Sequence, residues 1–218
     1  MPSQPTSHVR RKPALLLRAV QRVIVSLFAA RGWRIEGGIR SDVKKCVIAA
    51  SPHSTNWDFV TFAGAAERVG IQPSFMGKKS LFDGWMGSFM YDMGGVPIDR
   101  TRRANVVDQV AREFERRDEL ALVIAVEGSR SSAGEWRSGF YNIAMKAGVP
   151  IVPAYADNER RVVGFGEPLT PSGDYGADLL AIAAWLRSRL PMLERYEVLE
   201  AQARALIAMK DTAGRSPL

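Results

Sequence analysis

From residue 33 onward the chain alternates short apolar runs with segments of helical period, and this alternation restricts the possible fold more than any other feature. Residues 46–50, 74–76, 96–98, 121–126, 151–155 and 161–165 have the length and apolar character of strands. Residues 57–69, 105–117, 138–146 and 178–189 have helical spacing, and 192–209 resumes it beyond Pro191. Gly70 and Gly148 stand where the first and third of these helices should stop. Strand and helix in regular succession predict an α/β fold in a single domain. Its central sheet is expected to be mixed or mostly parallel, flanked by helices on both faces, with an amphipathic helix at the N-terminus. A chain of 218 residues holds one such domain with a complete core and little more.

The remaining composition narrows the partners. Thirty Lys and Arg oppose 23 Asp and Glu, so the net charge of +7 favours anionic partners: nucleic acid, acidic lipid or phosphorylated substrates. The basic residues are dispersed and form no recognised nucleic-acid module, so no nucleic-acid partner is expected. The single Cys46 excludes a disulfide framework and a cysteine-based zinc cluster. Residues 1–13 read as a flexible basic arm and 14–218 as the domain, with 14–31 forming the amphipathic, membrane-associating helix. Arg18 and Arg22 interrupt its apolar run, which leaves too little to cross a hydrocarbon core of about 30 Å. On a helix the two arginines share one side, while Leu16, Ala19, Val20, Val23 and Leu27 share another. Such a helix either lies in a membrane interface or packs on the domain's own core.

Four segments carry candidate chemistry. His53 and Asp58 follow an apolar strand within Ser51-Pro52-His53-Ser54-Thr55-Asn56-Trp57-Asp58. Five residues apart, they meet only if His53 precedes a helix and Asp58 lies in its first turn. Pro52 and the capping residues 54–56 favour that arrangement. A carboxylate on one imidazole nitrogen would fix the tautomer and make His53 a general base, with Asp58 the residue that holds the ring. The alternative is Asp58 as a helix-dipole carboxylate and His53 as an ordinary loop residue. The second segment, residues 91–100, ends on Asp99-Arg100, whose guanidinium suits a phosphate or a solvated ion pair. The third is Glu127-Gly128-Ser129-Arg130, closing the most apolar strand. There Glu127 orients Arg130 or a substrate hydroxyl, with Arg130 directed at phosphate, or else makes a structural salt bridge. Ser129 is not in a nucleophile elbow, which argues against a serine hydrolase. The fourth, Gly77-Lys78-Lys79-Ser80-Leu81-Phe82, lacks the nucleotide phosphate-loop pattern but offers lysines beside apolar residues, as an anionic lipid headgroup needs. Phe82, Trp85, Met86, Phe89 and Met90 then suit either an acyl-chain trough or the core.

In their order and separations these segments resemble the 1-acylglycerol-3-phosphate acyltransferase (lysophospholipid acyltransferase) family over residues 45–170. His53-x4-Asp58 is similar to its histidine–aspartate motif. GKKSL at 77–81 and GGVPIDR at 94–100 resemble its second block and the lead into it. EGSRS at 127–131 resembles its glutamate–glycine–arginine motif, and AGVPIVPAY at 147–155 its proline-containing strand. Pro52 stands where the family usually has Asn, Val126 where it has Pro, and Ser129 where it has Thr. The resemblance implies acyl transfer from acyl-CoA or acyl carrier protein to the free hydroxyl of a lysophospholipid, forming phosphatidic acid from 1-acylglycerol 3-phosphate. His53 and Asp58 would be catalytic, while Lys78, Arg100, Glu127, Gly128, Ser129 and Arg130 would bind substrate. No metal and no cofactor are implied, and the setting would be peripheral, on the cytoplasmic face of an anionic membrane. A related acceptor such as a lyso-ornithine lipid, and a non-catalytic protein of anionic membranes, are the competing expectations.

Overall fold

The computed structural model describes residues 15–52, 57–84, 87–99, 106–127, 134–190 and 193–214. In chain order the elements are α1 (Leu15–Ala30), β1 (Arg34–Glu36), β2 (Lys45–Ala50), α2 (Trp57–Arg68), β3 (Pro73–Lys78), α3 (Gly87–Asp92) and β4 (Gly95–Ile98). Then follow α4 (Val106–Arg116), β5 (Leu120–Ala125), α5 (Gly139–Ala147), β6 (Ile151–Asp157), β7 (Val162–Phe165), α6 (Tyr175–Arg187) and α7 (Leu193–Gly214). Among the described residues seven strands form one sheet in the order β1-β7-β6-β2-β5-β3-β4. The β6–β7 pair is antiparallel and the other pairs are parallel, so the sheet is mixed.

The alternation of β2 divides the core. Cys46, Ile48 and Ala50 meet Phe28 of α1 and Phe62 and Ala65 of α2 on one face. Val47 and Ala49 point the other way, into a larger cluster built with α4, α5, α6 and α7. Helices therefore cover both faces, which explains why β2, β6 and β7 read as continuous apolar runs. The third helix ends as its sequence implies: Gly148 takes φ +64° as the C-cap, and its N–H donates to the carbonyls of Ala144 and Met145.

The N-terminal helix meets one of the two expectations for it, packing on the domain's own core. Phe28 is buried against α2, where a Cβ at Gly64 would come within 2.9 Å of it, and its ring stacks on Trp33 at 5.9 Å. Val23 and Leu27, one turn apart, face outward at 57% and 40% exposure, with Arg22 exposed beside them. The helix is thus fixed to the domain by one stripe and presents another. Among the described residues no helix is long and apolar enough to cross a membrane. Two short elements escaped the sequence reading: β1, with three residues, and α3, with six. Each is shorter than the window over which periodicity can be recognised.

Candidate active site

The motif-bearing segments leave the sheet at one edge. β2, β5, β3 and β4 are adjacent and parallel, so their carboxyl ends, Ala50, Ala125, Lys78 and Ile98, all point the same way. Ala50 and Ala125 are direct partners in the β2–β5 ladder, which brings Ser51-Pro52 beside Val126-Glu127. Lys78 and Ile98 are likewise partners in the β3–β4 ladder, with Asp99 following Ile98. Ligands of α/β sheets are bound outside such carboxyl ends.

The ladder between β5 and β3 pairs Ala121–Leu122 with Pro73–Ser74 and ends there. Further along, Val123 and Ile124 are half-buried and Ala125 is exposed, whereas their neighbour β2 is buried to its last residue. The sheet is thus open at its carboxyl edge between β5 and the β3–β4 pair. Phe82 belongs to the core, its ring placed where Cβ atoms on Gly77 and Gly95 would fall and tilted against Tyr91 at 4.9 Å. Phe89 and Met90 of α3 are half-buried.

The predicted site residues are distributed as follows. Asp58 is the second residue of α2, in its first turn, as the His–Asp arrangement requires. His53, Arg100, Gly128, Ser129 and Arg130 lie outside the described residues, as do Trp85 and Met86. Lys78 ends β3 with its side chain exposed. Asp99 is held by Gln109 of α4: the Asp99 N–H donates to Gln109 Oε1 at 2.9 Å, and Gln109 Nε2 donates to the Asp99 carbonyl at 3.1 Å. This reciprocal amide pair fixes the backbone immediately before Arg100.

Glu127 is only 1% exposed, although a carboxylate is costly to bury without donors or a cation beside it. Its Oε1 accepts from Ser51 Oγ at 2.8 Å and from Arg195 Nη1 at 2.7 Å. The salt-bridge alternative for Glu127 is therefore realised, with a partner from the far end of the chain. Glu127 Oε2 and the buried Tyr196 hydroxyl have no hydrogen-bond partner among the described residues. Burial pushes the Tyr196 phenol well above its ordinary value. Ser51 is itself fixed, its N–H donating to the Ala154 carbonyl at 3.0 Å. A single carboxylate oxygen thus ties the segment leading to His53 to the start of the Glu-Gly-Ser-Arg segment.

The sequence reading missed Ser51, Gln109 and Arg195 as parts of this edge. Gln109 has no distinguishing signal in an amphipathic helix. Arg195 has a weak one, since a cation in the first turn of a helix opposes the macrodipole.

Comparison with known proteins identifies residues 34–157 with the family described as Acyltransferase, more than half of the chain. The chain belongs to the acyltransferase family. This acyltransferase-family chain is 28% identical over 152 residues to a probable 1-acyl-sn-glycerol-3-phosphate acyltransferase of Mycoplasma pneumoniae, covering 65% of this chain and 56% of that protein. It is 30% identical over 115 residues to the 1-acyl-sn-glycerol-3-phosphate acyltransferase of Salmonella typhimurium, covering 49% and 44% respectively. The chain spans about half the length of these curated relatives. In fold it is similar to the crystal structure of the 1-acyl-sn-glycerophosphate acyltransferase PlsC from Thermotoga maritima. That likeness has a TM-score of 0.51 at 15% identity, covering 87% of this chain and 78% of the other. The family match takes in β1 through β6 and thus all four motif-bearing strand ends, while α6 and α7 lie beyond it.

Proposed function

We propose that this protein transfers an acyl group from acyl-CoA or acyl carrier protein to the free hydroxyl of a lysophospholipid, 1-acylglycerol 3-phosphate being the acceptor that fits best. The observation that carries this reading is the emergence of four motif-bearing segments, in a member of the acyltransferase family, from the carboxyl ends of four neighbouring parallel strands. The relatives from Mycoplasma pneumoniae and Salmonella typhimurium, described as a probable 1-acyl-sn-glycerol-3-phosphate acyltransferase and a 1-acyl-sn-glycerol-3-phosphate acyltransferase, support the choice of acceptor.

His53, oriented by Asp58, takes the proton of the acceptor hydroxyl as that oxygen attacks the thioester carbonyl. The carbon–sulfur bond breaks, the new ester forms, and the proton passes to the departing thiolate. Lys78, Arg100 and Arg130 hold the acceptor phosphate, with a guanidinium fork suited to its paired oxygens. Glu127, with Gly128 and Ser129 following it, sets the position of that segment. The opening between β5 and the β3–β4 pair, with Ile124 and Met76 half-buried beside it, offers apolar surface for an acyl chain. The purified protein is expected to form phosphatidic acid from lysophosphatidic acid and an acyl thioester, read by mass spectrometry of the lipid products. Turnover of a lyso-ornithine lipid in its place would change the acceptor, and no acyl transfer to any lysolipid from either donor would end the proposal.

A peripheral seat on an anionic membrane surface goes with this activity, because the acceptor is a lipid and α1 presents Arg22, Val23 and Leu27 outward. Inserting a Val or Leu side chain into an apolar phase contributes about 1.5–3 kcal/mol. The double substitution Val23→Asp, Leu27→Asp is therefore expected to weaken flotation with phosphatidylglycerol-containing vesicles by tenfold or more, at unchanged Tm. Equal flotation of variant and parent protein would remove α1 from the membrane contact.

A further inference from the structure

Arg195 lies beyond the segment that identifies the family, yet its side chain enters the motif-bearing edge. Three observations make this more than a convenient ion pair. First, Glu127 is almost fully buried while Arg195 keeps 24% of its side chain exposed, so the arginine reaches inward to the carboxylate. It does so from the first turn of α7, where the helix dipole disfavours a cation, beside Glu194, which the dipole favours. Second, the same residue packs on Gly134, four residues beyond Arg130 in the chain. Gly134 has φ +101°, and a Cβ there would lie 3.1 Å from the Arg195 carbonyl oxygen and 3.2 Å from its Cγ. Third, Val126, next to Glu127, accepts at its carbonyl from the Arg137 N–H at 2.9 Å. Gln202, two turns along α7, brackets Trp136 by accepting from its N–H at 2.9 Å and donating to its carbonyl at 2.8 Å.

The helix carrying these contacts is firmly based. The Arg187 guanidinium of α6 grips both oxygens of Glu200 at 3.1 Å, and Gly176 lets α6 approach the backbone of α7 near Ala203. The guanidinium thus has a rigid origin at one end and, at the other, a carboxylate oxygen shared with Ser51.

We propose that Arg195 is a positioning residue for the acyl transfer put forward above: through Glu127 Oε1 it holds Val126-Glu127, at the end of β5, in register with Ser51-Pro52, at the end of β2. It touches neither substrate nor reacting atoms. Its loss lets the two segments separate, which slows the chemical step while leaving the substrates' own contacts in place.

The test is Arg195→Gln, which keeps a donor of shorter reach and no charge, beside Arg195→Lys, which restores a cation. Both are assayed in the full chain with an acyl thioester and lysophosphatidic acid. Arg195→Gln is expected to lose tenfold or more in kcat, with KM for both substrates within about threefold of the parent, and Arg195→Lys to recover most of that loss. Unchanged kcat in the Gln variant would overturn the assignment. So would a loss carried by KM, or one that Lys does not restore. A Gln variant that cannot be obtained folded would assign Arg195 to the stability of the domain and overturn the proposal equally. Hydrogen exchange separates this idea from the activity it rests on: with or without turnover in the parent protein, Arg195→Gln is expected to speed exchange at the Arg137 amide more than at the amides of β6, beyond the general loss of protection that the lower Tm of a variant with an unpaired buried carboxylate brings. Exchange sped there no more than in β6 would overturn the clamp, whereas a parent protein without turnover would strike at the proposed function alone.

Discussion

His53→Ala is expected to lower kcat for acyl transfer by about 10²–10⁴ while leaving the Tm within the error of the parent protein. The large effect follows from the chemistry. A lysophospholipid hydroxyl is a weak nucleophile at neutral pH, and in the proposed mechanism general-base removal of its proton in the transition state is the imidazole's task. The small structural effect follows from the position of the residue, at the end of a segment that leaves a buried strand and is fixed upstream by Ser51. Asp58→Asn is expected to cost nearly as much as His53→Ala, since an amide that donates to the ring holds it in the wrong tautomer and no longer stabilises the imidazolium. Rates with saturating acyl thioester and acceptor, alongside circular dichroism and thermal melts of each variant, decide the matter. A His53→Ala protein with the parent's kcat would remove the base from the mechanism, and with it the role assigned to Asp58.

Much of this architecture is legible in the sequence because it rests on local signals. The strands β2, β5, β6 and β7 are short apolar runs of strand length, and α2 and α5 end just before glycines that stop them. The motif segments can be found because each directly follows such a run. What the sequence conceals is long-range. That Ala50 and Ala125 are partners, so that Ser51 and Glu127 share a hydrogen bond across 76 positions, follows from the strand order, and no local pattern encodes that order. The Arg195–Glu127 pair spans 68 positions, and the one mark of the arginine in the sequence is its unfavourable place in the first turn of a helix. Glu127 shows the consequence well. Its neighbours in sequence suggest Arg130 as a partner, and among the described residues the cation paired with it is Arg195 of α7.

The row of residues across β1, β7 and β6 gives the largest expected effect on stability. Glu36, Gly164 and Tyr155 are register partners on three successive strands. The Tyr155 ring lies over Gly164, and its hydroxyl donates to Glu36 Oε2 at 2.7 Å, so one side chain spans the whole of β7. Neighbouring strands are about 4.8 Å apart, and the reach from β6 to β1 is available only if the middle residue has no side chain. A Cβ on Gly164 would lie 2.1 Å from Tyr155 Cε1 and 2.4 Å from Cζ, closer than any real contact. The ring has little room to yield, being fully buried, tied to Glu36 and tilted against Trp185 at 5.7 Å. Its phenol, pushed up to about 12 by burial and then by the Glu36 hydrogen bond, stays neutral throughout the ordinary pH range. Gly164→Ala is therefore expected to destabilise the domain by about 3 kcal/mol. That corresponds to a fall in Tm of about 6–12 °C for a chain of this size. Tyr155→Phe removes only the bond to a half-exposed carboxylate that can turn to water, and is expected to cost about 1 kcal/mol. The decisive measurement is the double variant Gly164→Ala, Tyr155→Leu, in which the clash disappears with the ring. Its loss of stability is expected to fall well short of the sum of the two single losses, and strict additivity would show that the ring and the glycine do not constrain one another.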